Sequence, residues 1–125
     1  MNDAEKLKAA RDVLLRLHKS LVDFERTSYE TFSGPVNSGE FLNLLLNDAR
    51  FAWLRRFSTL IVDVDEMFDQ KDGYTSETVE LHLRKMAELI DLSKQEQFFR
   101  EKYELALQGD ADAAGSHAAL KKILE

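Results

Sequence analysis

The chain has 125 residues, 44% apolar and 32% charged, with three His, no Cys and a formal charge of −6. That size and balance fit one folded domain and exclude a disordered chain, and the missing Cys excludes disulfides and thiolate metal sites. The acidic excess speaks against charge-driven binding to nucleic acid or anionic lipid.

A first helix is expected over residues 3–32, capped by Asn2 or Asp3 and free of Gly and Pro throughout. Leu7, Leu14 and Leu21 form one row and Ala10, Leu17 and Phe24 another, the spacing of a coiled-coil seam. Val13, Leu15, Val22 and Phe32 widen that seam past half the wheel, so this helix should touch several neighbours, as the centre of a bundle. Ser33-Gly34-Pro35 ends it. A short helix over 39–47 follows, capped by Asn37 or Ser38, and then one over 49–68 with Leu54, Phe57, Ile61, Val64 and Phe68 on its inner face. Trp53, Leu60 and Met67 flank that face.

Asp69 to Gly73 reads as a turn. Thr75 or Ser76 caps a helix over 76–91, in which Val79, Leu83, Met86 and Ile90 keep helical spacing. Ser93 and Glu96 fit a capping box that opens a helix over 94–108. A weak segment, 110–115, leads to a last helix over 116–124. Nothing alternates with period two, so the expectation is an all-α, single-domain helical bundle of four main helices and one or two short ones. The polar, mixed-charge start is unlike a signal peptide, and no run approaches the roughly 20 apolar residues of a membrane span. A cytoplasmic protein without membrane contact is the resulting expectation.

Three groupings bear on chemistry. Arg11, His18 and Glu25 stand seven apart on one flank of the first helix. They form a candidate ligand layer in which His18 titrates near neutral pH. At 1.5 Å rise per residue they lie about 10 Å apart, so any site needs partners from other helices. The simpler reading makes them boundary residues with buried stems and solvated heads. Asp63, Asp65, Glu66, Asp69 and Asp72 crowd one helix end, where negative charge opposes the helix dipole. Their spacing fails as a calcium loop.

Glu77, Glu80, Glu88 and Asp91 resemble the paired carboxylates of the all-α nucleotide pyrophosphatases. In that family the pairs stand on two successive helices, whereas here all four share one face, with Arg84, opposite the apolar stripe. No Glu-x-x-His pair of a di-iron bundle occurs, and no phosphate-binding Gly loop or nucleophile elbow. His82 reads as structural, and His117, just past a cap, as exposed.

The strings Gly34-Pro35-Val36, Ser38-Gly39-Glu40, Leu44 to Asp48, Phe51 to Arg55 and Leu60-Ile61-Val62 resemble a family of short bacterial all-helical proteins with no established activity. Phe99, Tyr103, Ala106 to Gln108 and His117-Ala118 resemble its C-terminal part. The resemblance implies a bacterial, cytoplasmic protein and carries over no catalytic residue.

The leading expectation is a non-enzymatic module that works by protein contact, self-associating or within a complex. Its first helix, about 45 Å long, exceeds the others and must project or pair. Candidate contact residues are Gly34, Pro35, Ser38 and Glu40 in the loop, with Trp53, Arg55 and Arg56, because Trp and Arg are enriched at binding hot spots. The alternative is a small-ligand- or metal-dependent enzyme using His18 and Glu25, with Asp63, Asp65 and Asp69 as outer candidates. A nucleic-acid surface at Arg50, Arg55 and Arg56 is a third reading, which the net charge opposes. No catalytic residue, cofactor or metal ligand is assigned.

Overall fold

The caps explain where the helices begin. Asn2 Oδ1 accepts the Glu5 N–H at 2.8 Å and opens α1, Asp3–Ser33. Asn37 does the same from Glu40 for α2, Ser38–Asn47. Asp48 caps a 3-10 helix, Ala49–Leu54, that runs straight into α3, Arg55–Phe68. Thr75 and Thr78 form a reciprocal capping box at α4, Ser76–Ile90. After a 3-10 turn at Leu92–Lys94 come α5, Gln97–Gly109, and α6, Ala111–Leu124. The computed structural model describes all 125 residues, and it is all-α, with no strand.

Two boundaries differ from the sequence reading. Ser93 does not cap α5: its hydroxyl and N–H both donate to Asp91 Oδ1, at 2.6 and 3.1 Å, and hold the 3-10 turn instead. Glu96 is the cap, accepting from Phe98 and Phe99. The last helix begins at Ala111 because Asp110 caps it and an Ala-rich run of high helix propensity follows.

Helix α1 lies at the centre, with α6 as its most extensive neighbour and α3, α4 and α5 around it. Leu7, Ala10, Val13, Leu14, Leu17 and Leu21 are buried along its seam. Each such Leu contributes roughly 1.5–3 kcal/mol by leaving water. The expected widening of the seam fails at two places: Leu15 and Phe32 face solvent. Beyond Leu21 the innermost α1 position belongs to Glu25, a carboxylate.

The middle of the core is aromatic. Trp53, Phe57, Phe99 and Tyr103 pack mostly edge to face, with centroids 5.4–6.3 Å apart. The end of α5 approaches α1 so closely that a Cβ at Gly109 would sit 2.6 Å from the Phe24 ring. Gly34 closes α1 at φ 86° and ψ 169°, a conformation open essentially to Gly alone, while its N–H donates to Glu30. No helix is long and apolar enough to cross a membrane.

Candidate functional site

The sequence-derived ligand layer separates into different environments. Arg11 forks onto Asp65 of α3, Nε to Oδ1 and Nη2 to Oδ2, both at 2.8 Å. His18 is half-buried, and burial pushes its pKa below the usual 6.5. Glu25 is 4% exposed. Its Oε2 accepts the Trp53 indole N–H at 3.2 Å and faces the Lys102 ammonium at 3.5 Å. Arg11 and Glu25 line separate clefts. No three His, Asp or Glu side chains are grouped so as to hold a metal ion.

Trp53 is 3% exposed and lies inside the core, so it offers no surface to a partner. It packs against Phe57, Phe99 and Tyr103, and its indole N–H is taken up by Glu25, while Phe51 and Leu54 are eclipsed on the same 3-10 helix. His117 is half-buried rather than exposed, its Nδ1 2.6 Å from the Tyr103 hydroxyl. Burial raises the Tyr103 pKa, so the phenol keeps its proton, and the His117 tautomer sets which of the two groups donates. Burial and the nearby Lys121 both lower the pKa of His117. His82 is partly buried, its Nδ1 2.7 Å from the Thr78 carbonyl one turn earlier in α4.

The loop residues have conformational work. Asn37 caps α2, Gly34 supplies the positive φ, and Glu40 Oε1 accepts from Asn37 Nδ2 at 2.6 Å. Pro35 and Ser38 stand exposed beside them. Arg26 fixes the loop by donating to the Val36 carbonyl at 2.8 Å. The three arginines of the 49–56 segment part company. Arg50 pairs with Asp48 through two hydrogen bonds, at 3.0 and 2.8 Å. Arg55 donates to the Leu45 and Asp48 carbonyls at the end of α2. Arg56 stacks on Phe99, 4.4 Å from the ring centre, and makes no ion pair.

Sequence reasoning missed a surface feature at the far end of α1. Phe32 is 90% exposed, Leu105 of α5 56% and Phe98 47%. Phe32 and Leu105 rim one cavity of about 280 Å³, floored by Tyr29, Phe51 and Glu25. Phe98 and Leu105 stand seven apart on α5, with Lys102 between them and over the Phe98 ring at 6.0 Å. Phe32 keeps approximate helical phase with the core positions, so the sequence alone places it in the seam. The core ends before it, since no α1 residue beyond Glu25 is buried.

A second apolar ridge, Leu42 and Leu46, runs along the outer side of α2. Comparison with known proteins gives no match: no protein family, curated protein or solved structure was found to resemble this chain.

Proposed function

We propose that the protein is a non-catalytic helical interaction module of the cytoplasm whose partner is a second copy of itself. The observation that carries this reading is the exposed apolar set of Phe32 and Leu105 at the rim of a cavity, with Phe98 also exposed on α5. A Phe 90% exposed beside a recess lined by Tyr29 and Phe51 is apolar surface of the kind that marks a contact site. In a two-fold contact, the Phe32 ring of each copy fits the recess of the other, the anchor-in-pocket arrangement of binding hot spots.

At 150–250 Å² per aromatic side chain, the patch offers roughly 300–400 Å² of apolar surface, at the size where patches mark contact sites. Two copies with a polar rim reach the lower end of specific interfaces, about 1,200 Å². That supports a weak dimer, with a Kd of micromolar order.

Sedimentation velocity across a concentration series tests the reading. The expected result is a monomer–dimer equilibrium that Phe32→Ser abolishes and Leu46→Glu, on the α2 ridge, leaves in place. A protein that stays monomeric at several hundred micromolar, or a dimer indifferent to Phe32→Ser, overturns it.

A further inference from the structure

Between α3, the end of α4 and the 3-10 turn before α5 lies an open cleft of about 490 Å³. Four cations line it: Arg55 and Arg56 from α3, Lys85 from α4 and Lys94 from the turn. In a chain of net charge −6 this convergence is unexpected, and none of the four is within ion-pair distance of a carboxylate. Two carboxylates, Asp63 and Glu88, share the cleft, so it keeps two positive charges.

The frame is held in place before any ligand arrives. Arg56 lies over the Phe99 ring, 4.4 Å from its centre, and Arg55 is tied to the carbonyls of Leu45 and Asp48. Gln95 Nε2 donates to the Glu88 and Leu89 carbonyls at 2.7 and 3.3 Å, fastening the turn that bears Lys94 to the end of α4. The guanidinium of Arg56 makes no hydrogen bond, and the Thr59 hydroxyl beside it has no partner either. A planar, pre-positioned guanidinium with free donors suits oxyanions that accept two hydrogen bonds at once.

The geometry points to this cleft as a binding site for a small molecule carrying a diphosphate or triphosphate group. The volume is that of a small-ligand pocket. A ligand with more than one phosphate offers more oxygens to the four cations of the three elements than a single phosphate does. A long nucleic-acid strand fits worse, because beyond the cleft it would face the negative field of the whole chain. The site is separate from the Phe32 patch and shares no residue with it.

The test is a titration of the full-length protein, followed by amide NMR, with inorganic pyrophosphate, ADP and a single-stranded oligonucleotide in separate arms. The expected result is saturable binding of pyrophosphate with shifts confined to residues around Arg56, Lys85 and Lys94. Affinity should fall about tenfold in Arg56→Gln, the scale of one charge-assisted hydrogen bond, and also in Lys85→Gln and Lys94→Gln, whose exposed side chains take no part in packing. Lys19→Gln, on the outer side of α1, should change nothing. ADP binding more tightly than pyrophosphate supports the site and assigns a nucleotide as the source of the diphosphate. Absence of saturation at millimolar pyrophosphate overturns the inference, as does equal affinity in the three cleft variants. Oligonucleotide binding that strengthens with strand length overturns it in favour of a nucleic-acid surface.

Discussion

Replacing Glu25 with Ala removes the acceptor of the Trp53 indole N–H and the counter-charge of Lys102 in one step. The Trp53 N–H is then buried without a partner, at about 1–3 kcal/mol. The one lost methylene adds about 0.8 kcal/mol. Lys102 is 30% exposed along its side chain and relaxes toward water, so its unpairing adds little. The expected total is about 2–4 kcal/mol, or a melting point lower by about 10 °C for a chain of this length.

Glu25→Gln keeps an acceptor for Trp53 and loses only the charge, about 1 kcal/mol. Lys102→Met leaves the carboxylate buried with the indole as its one partner and should cost more than Glu25→Gln. The double variant should recover most of that difference, which a double-mutant cycle reads directly. Chemical denaturation followed by fluorescence is the assay, because Trp53 is the chain's single tryptophan and sits at the perturbed contact. A cost below about 0.5 kcal/mol for Glu25→Ala, or strict additivity of Glu25→Gln and Lys102→Met, refutes the reasoning.

Acid should destabilise the protein in two stages. His18 and His117 hold protons less tightly folded than unfolded, so the unfolded chain is protonated first; stability is full above about pH 6.5 and declines below it. Asp48, held at about 2 by hydrogen bonds from Arg50, and Asp91, lowered by Ser93, add a second decline below the usual 3.8. Denaturant midpoints between about pH 7.5 and 5 check the first stage, which should shrink in His18→Gln. Gly34→Ala forces a side chain into the φ 86° conformation and should cost about 1–3 kcal/mol by thermal melt; an unchanged melting point contradicts the strain. Arg11→Met breaks the two-pronged pair with Asp65, whose side chain is 43% exposed, so a loss of about 0.5–1 kcal/mol that shrinks in high salt is expected.

Much of the fold was legible because its signals are local. The leucine seam of α1, the Gly34-Pro35 stop and the Thr75 cap each act within a few residues, and the helices follow them. Ser93 misled because the same hydroxyl can cap a helix or close a turn, and the choice depended on Asp91 two residues earlier. Trp53 flanks the inner face with Leu60 and Met67, and whether it faced core or partner depended on Glu25, Phe99 and Tyr103, which are distant in sequence. The groupings that matter most were out of reach for a different reason. Arg56, Lys85 and Lys94 lie on three elements, and only tertiary packing brings them to one cleft. Glu25 looked like a boundary residue because nothing near it in sequence announces Trp53 or Lys102 as its partners.

The pairing of α1 with α6 has a consequence for how the chain folds. Helix α1 is made well before α6 yet has its most extensive contact with it, and the Lys6 ammonium donates to the Glu125 carbonyl at 3.3 Å. Such a contact closes the longest loop in the molecule and cannot form until α6 has left the ribosome. Until then the leucines of α1 that α6 will cover stay open to solvent or to a neighbouring nascent chain. Joining the two ends by a short linker and opening the chain at the exposed turn at Asp72-Gly73 would make α6 and α1 sequential neighbours. The contact that now forms last would then be among the earliest.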